Sequence, residues 1–182
     1  MTQLSFPRRL WGHFRTITEH KFRVTRLCFQ MGLIRQGLLH DLSKYTPVEF
    51  VPGVRYYQGY RSPIDAEKED RGYSAGWLHH KGHNRHHWEY WLDKKDGRLV
   101  CLRIPSRFVA EMVCDRIAAC QTYQKEKYTD ASALNYYLQG TDRHYLHPET
   151  AAQLESYLTW VRDEGIGRAF ARIREDLRQR SF

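Results

Sequence analysis

The stretch from 19 to 45, EHKFRVTRLCFQMGLIRQGLLHDLSKY, places a histidine near the start of an apolar helical pattern and the dipeptide His40-Asp41 at its far end. Its apolar residues recur at three- and four-residue spacing, the period of a helix with one face turned to a core. Gly32 breaks that period and predicts a helix end, with a further helix from about 33 to 44. Neighbouring residues on a helix point about 100° apart, so His40 and Asp41 reach one ion only if the helix end turns both inward. Taken alone, the dipeptide also reads as a helix end carrying two polar residues.

The same spacing governs most of the chain, while strand-like alternation is confined to RLVCLRI at 98–104. We therefore expect an all-α single-domain helical bundle spanning 1–182. A first pair of helices is predicted over 7–17 and 19–31, with Thr18 as N-cap. Thr46-Pro47-Val48-Glu49 has the form of a capping box opening the next helix, which Pro52-Gly53 should shorten or bend. The polar stretch 58–74 reads as a surface loop with a short helix starting at Ser62-Pro63-Ile64-Asp65. Helix resumes over 75–92, interrupted near Gly82 to Asn84, and ends at the Asp96-Gly97 turn. Pro105 and Ser106 open a strong amphipathic helix to about 126. Helices at 130–139, 148–163 and 167–180 follow, with Pro148 at a start and Gly165 and Gly167 separating the last two. The ligand-type residues gather before 116, so the site core is placed at about 10–125 and the segment 130–182 is read as packing.

With 41% hydrophobic and 14% aromatic residues, 182 positions suit one globular core rather than disorder. No run approaches the roughly 18 apolar residues of a membrane span, and MTQLSFPRRLWGHF lacks a signal-peptide core, so a cytoplasmic protein is expected. Cys28, Cys101, Cys114 and Cys120 show no CxxC spacing and read as reduced core thiols. A net charge of +8 favours an anionic partner, a phosphorylated small molecule or nucleic acid. The basic residues are spread along the chain, which equally describes a solvated surface.

Five of the ten histidines fall in LHHKGHNRHHWEYW at 78–91. On a continuous helix His79, His83 and His86 would share a face, while His80 and His87, seven apart, would lie on a neighbouring one. All five cannot reach one centre. Imidazole with carboxylate suits divalent manganese, iron, zinc or cobalt.

The order histidine, apolar helix, LLHD and a lysine three positions later resembles the opening of HD-superfamily phosphohydrolases. The closing aspartate of that superfamily has its counterpart in MVCDRIAA as Asp115. The resemblance implies an HD-type helical domain with His20, His40, Asp41 and Asp115 as ligands of a first metal. Two-metal HD proteins add histidines between the HD pair and the last aspartate, where His79-His80 and His86-His87 fall. HHWE is similar to a segment of the cyclic-dinucleotide phosphodiesterase branch, but the Gly-Tyr-Pro signature of that branch is absent. GLLHDLSKY, SPID and LHHKGHNRHHWEYW together look like a bacterial and phage family carrying only a domain-of-unknown-function label, over roughly residues 10–125.

Within each doublet one imidazole is assigned to metal, His80 and His87, and the other, His79 and His86, to catalysis or to a supporting carboxylate. Lys44 is placed to hold a substrate phosphate and take part in catalysis; as a helix-end lysine it would instead complement the dipole. Asn84 and Arg61 are candidate substrate contacts, although Asn84 also suits a cap and Arg61, Lys68 and Lys81 suit solvated charge. His20 reads otherwise as a cap, and Asp115 as the partner of a nearby arginine. His13, His144 and His147 read as structural. Trp77, Trp88, Trp91, Tyr56, Tyr57 and Tyr90 fit core packing better than base stacking. The expected function is a metal-dependent phosphohydrolase, using one or two divalent ions, on a nucleotide or other small phosphorylated metabolite. An HD-type di-iron oxygenase and a non-catalytic nucleic-acid-binding HD scaffold are the alternatives.

Overall fold

The computed structural model describes residues 4–180. Its helices are α1 (Phe6–Gln30), α2 (Ile34–Leu39), α3 (Pro47–Arg55), α4 (Pro63–Arg71), α5 (Ala75–His83), α6 (Ser106–Gln124), α7 (Ser132–Gln139) and α8 (Pro148–Gln179). A small antiparallel hairpin, β1 (Leu92–Lys95) and β2 (Arg98–Cys101), interrupts the helical series. The fold is a mostly helical single domain. None of its described helices is long and apolar enough to cross a membrane.

α6 is the central strut, packed along α1 on one side and α8 on the other. Val109, Ala110, Val113, Cys114, Ile117 and Ala118 bury its apolar surface, and Val24, Cys28, Leu154, Leu158, Val161, Phe170 and Ile173 close around them. Glu111 and Asp115 sit four residues apart on α6, so both project from one face toward the site. On α1 the buried line His13, Ile17, His20, Val24, Leu27 follows the helical period and carries His20 to the same place.

Several expectations are corrected. The helices predicted over 7–17 and 19–31 are one continuous α1, because the buried line runs through Thr18 without a break. The Thr18 hydroxyl hydrogen-bonds the Tyr45 hydroxyl at 3.0 Å, a tertiary contact rather than a cap. The Thr46 capping box does not form: Thr46 Oγ1 donates to the Ser43 carbonyl at 2.6 Å, and Glu49 is drawn toward histidines instead. Ser62 does cap α4, accepting from the Ile64 N–H at 3.3 Å. The helix expected over 75–92 breaks at Asn84, within the interruption expected at Gly82 to Asn84, but does not resume as an α-helix: a 3₁₀ turn spans Trp88–Trp91 and 92–101 turns back as the hairpin, with Asp96 and Gly97 both at positive φ, the geometry of a tight two-residue hairpin turn. α8 is helical on both sides of a break at Gly165, whose φ of 77° and ψ of 160° belong to a region that only glycine occupies readily. Cys28, Cys114 and Cys120 are buried free thiols and Cys101 is half-buried.

His13 shows what a histidine does here without ligand duty. It is buried between Phe50 and Tyr57, against Gly53, where any Cβ would run into its ring. Burial, helped by the charge of Lys44, pulls its imidazole from 6.5 down to about 4. Above pH 6.5 both folded and unfolded chains hold it neutral. As pH falls from 6.5 toward 4 only the unfolded chain takes the proton, so stability is lost across that window. The contribution is about 3 kcal/mol. Urea unfolding at pH 7.5 and 4.5 should show that much less acid sensitivity in His13→Gln than in the wild type; equal sensitivity would remove His13 from the account.

Candidate metal centre

The two polar residues at the end of α2 face inward because the helix ends on them. His40 leaves helical geometry with ψ 126°, and Asp41 adopts the left-handed region at φ 54°, ψ 23°, which aspartate tolerates better than most residues. The helix predicted over 33–44 is thus cut at Leu39, and the residues after it form a short 3₁₀ turn, Leu42–Tyr45. Lys21 fastens the bend from α1 by donating to the carbonyls of Leu38 (2.8 Å) and His40 (2.9 Å). The 100° separation of neighbouring helical side chains no longer applies. His40 and Asp41 are both about 2% exposed.

A second break serves the histidine-rich stretch. α5 ends at Asn84, whose amide donates to the His80 carbonyl and to Ser43 Oγ, each at 2.8 Å. His80 therefore projects from the last turn of a helix while His86 and His87 project from the turn that follows, and all three converge.

Three groups of donors result, each within 4.8 Å: His40, His86 and Glu111, and two larger groups that share Asp41. Of the larger two, one is His20, His40, Asp41 and Asp115; the other is Asp41, His80, His86 and His87. The carboxylate of Asp41 divides between them. Oδ2 lies 3.4 Å from His40 Nε2 and 3.9 Å from His20 Nε2, while Oδ1 lies 3.4 Å from both His80 Nε2 and His86 Nε2. Asp115 Oδ1 stands 2.9 Å from His20 Nε2 and 3.6 Å from His40 Nε2. Among the described residues no arginine pairs with Asp115; Arg116 turns to Asp142 instead.

Carboxylates orient the imidazoles from behind. Glu49 Oε2 accepts from His80 Nδ1 at 2.8 Å and Glu49 Oε1 from His79 Nδ1 at 2.7 Å. Glu111 Oε1 lies 2.9 Å from His40 Nδ1 and 3.2 Å from His86 Nδ1. An Nδ1–H held by a carboxylate leaves the Nε2 lone pair pointing into the centre, the tautomer a metal requires.

The residues fit divalent ions. His20 Nε2, His40 Nε2, His86 Nε2 and Asp41 Oδ1 are buried without a hydrogen-bond partner, a costly state at about 1–3 kcal/mol for each atom. All four belong to the two larger donor groups, and a coordinated cation satisfies them together. Burial opposes ionisation of Asp41, but its interactions with His40, Lys44 and His80 outweigh it and hold the carboxyl well below its usual range. Asp115 is likewise held down against burial by His20 and His40. Burial, reinforced by the neighbouring His86 and His80, keeps His87 neutral, with its pKa far below the usual value.

Among the other residues singled out from sequence, Lys44 Nζ meets Asp41 Oδ2 at 2.5 Å, on the open side of the centre. A cleft of about 430 Å³ leads there, lined by His20, Asp41, Lys44, Trp77, His87 and Asp115 near its floor, with Arg61 and Lys68 also in its wall. Arg61 is held by Gln58 and Glu69. His79 is outside both donor groups, stacked on His83 with ring centres 3.9 Å apart. His86, read from sequence as catalytic, stands among the donors, so the second doublet contributes both imidazoles to one group. Asn84 is buried behind His80. Trp88 and Trp91 pack on the core, and Trp77 lies against the rings of His80 and His87. Glu49 and Glu111 escaped the sequence reading. Glu111 had a signal: it is a carboxylate on the apolar helix EMVCDRIAAC, one turn before Asp115.

The family described as Family of unknown function (DUF5662) matches residues 9–160. The chain belongs to this family. The DUF5662 match contains every donor of both groups, from His20 to Asp115, together with Glu49 and Glu111. No curated protein and no solved structure matches the chain.

Proposed function

We propose that this DUF5662 protein is a divalent-metal-dependent phosphohydrolase that cleaves a nucleotide or another small phosphorylated metabolite. The observation that carries the reading is the division of Asp41 between two imidazole-rich groups at the floor of an open cleft. The order His20, His40-Asp41, the paired histidines and Asp115 supports it by its resemblance to the HD superfamily. Divalent ions held by these residues supply Lewis acidity toward a phosphoryl oxygen and lower the pKa of a water toward neutrality.

The chain's own part is positioning. His20, His40 and Asp115 hold one side of the Asp41 carboxylate, and His80, His86 and His87 the other. Lys44, one turn beyond Asp41 and open to the cleft, neutralises a phosphate oxygen as a point charge. Arg61 and Lys68 add positive potential along the approach, and Trp77 gives an apolar wall. A volume of about 430 Å³ suits a nucleotide-sized ligand.

The test is a screen of phosphate release from nucleotides and sugar phosphates by protein reconstituted with manganese, cobalt, zinc or iron. Release that depends on the metal supports the reading. Five histidines with two aspartates also form a donor set hospitable to iron, the basis of the oxygenase alternative. Iron-specific oxygen uptake without phosphate release would replace the hydrolase by that alternative. On an active substrate, Lys44→Ala should raise KM about 10- to 100-fold, the worth of one hydrogen bond to a charged group, while metal content stays that of the wild type. Unchanged KM and turnover would remove Lys44 from substrate binding.

A further inference from the structure

We infer that Glu111 is a positioning residue that couples the two donor groups, one of its oxygens fixing a ligand of each. The inference rests on the metal reading above and goes beyond it, because it makes the two ions interdependent. Glu111 is buried in the middle of α6. Its Oε1 faces His40 Nδ1 at 2.9 Å and His86 Nδ1 at 3.2 Å, and the two rings lie against each other with centres 4.4 Å apart. Their opposite nitrogens diverge. His40 Nε2 is directed at Asp41 Oδ2 and Asp115 Oδ1, and His86 Nε2 at Asp41 Oδ1.

Asp41 and Glu111 thereby close a circuit through the two imidazoles. Asp41 joins the donor groups in front with two separate oxygens, while Glu111 joins them behind with one. A carboxylate that accepts an Nδ1–H raises the basicity of the same ring's Nε2 and fixes its direction. Oε1 is hydrogen-bonded to His40 Nδ1 and within ion-pair distance of His86 Nδ1, so it cannot shift toward one ring without drawing away from the other. Drawing His40 onto an ion therefore alters the support of His86, and the reverse. Glu49 offers the contrast. Its Oε2 supports His80, a donor of the second group, but its Oε1 goes to His79, which belongs to neither.

The experiment is a titration of metal-free protein with zinc and with cobalt, reading stepwise dissociation constants by chelator competition and the cobalt absorption spectrum. In wild type two ions should bind. Glu111→Gln keeps the side-chain volume but offers a neutral, weaker acceptor, and both dissociation constants should rise about 10- to 100-fold. Glu49→Gln should raise only one of them. A Glu111→Gln protein in which one constant or neither changes would overturn the coupling, leaving the metal centre intact. A wild type that takes up no ion would overturn the metal reading itself. A measurement independent of any variant's folding is the nitrogen-15 spectrum of zinc-loaded wild type. His40 and His86 should both carry their proton on Nδ1; a bare Nδ1 on either ring would refute a shared acceptor.

Discussion

Replacing Asp41 by asparagine should take the protein from about two bound ions per chain to nearly none, the largest single effect expected of any side chain. Asparagine is the informative replacement because it tolerates the left-handed backbone that Asp41 adopts at φ 54°, whereas alanine adds strain to the chemical change. It keeps the shape and removes the negative charge. With that charge gone, the cluster presents five imidazoles, one remaining aspartate and the ammonium of Lys44, which no longer has its carboxylate. Both donor groups lose their shared member at once. Asp115→Asn, which touches only the His20 and His40 side, should cost one ion rather than two. Elemental analysis of tag-free protein, with circular dichroism to establish folding, distinguishes these outcomes. Retention of both ions by folded Asp41→Asn would show that Asp41 does not bridge.

Phe170→Ala should lower stability by about 3–5 kcal/mol, the usual cost of removing a buried phenyl ring. Phe170 is about 2% exposed and belongs to the same core as Ile117, Leu158 and Val161. It lies beyond the break at Gly165 and beyond residue 160, where the DUF5662 match ends. Ala169 and Ile173 beside it are fully buried, so this final arm is a wall of the core rather than an appendage. The urea midpoint should fall with an unchanged m-value. A loss below about 1 kcal/mol would mean that the arm contributes little to the folded domain.

The helical class was legible because the apolar period is sustained through the elements that pack together, α1, α6 and α8. The residues of the centre were legible as types in an order, since His20, His40, Asp41, His80, His87 and Asp115 all meet there. Their convergence was not. It depends on two helix ends, at His40-Asp41 and at Asn84, where backbone turns override the helical period used to assign faces; the second break is foreshadowed by Gly82 to Asn84, but not the direction the chain takes after it. On an unbroken helix His86 shares a face with His79; after the turn it lies with His80 and His87. Glu49 was hidden for a related reason. Its position suits a capping box, and only the fold brings α5 close enough for His79 and His80 to take both of its oxygens. The hairpin was half legible, as its second strand alternates but its first, Leu92–Lys95, is short and mostly charged.

The measurement that tests the central claim most directly is a crystal structure of the reconstituted protein with anomalous scattering collected at the absorption edge of the added metal. Two peaks should flank the Asp41 carboxylate, one beside Oδ2 with His20, His40 and Asp115, the other beside Oδ1 with His80, His86 and His87. No peak at Asp41 in crystals grown with manganese, iron, zinc and cobalt would contradict the account.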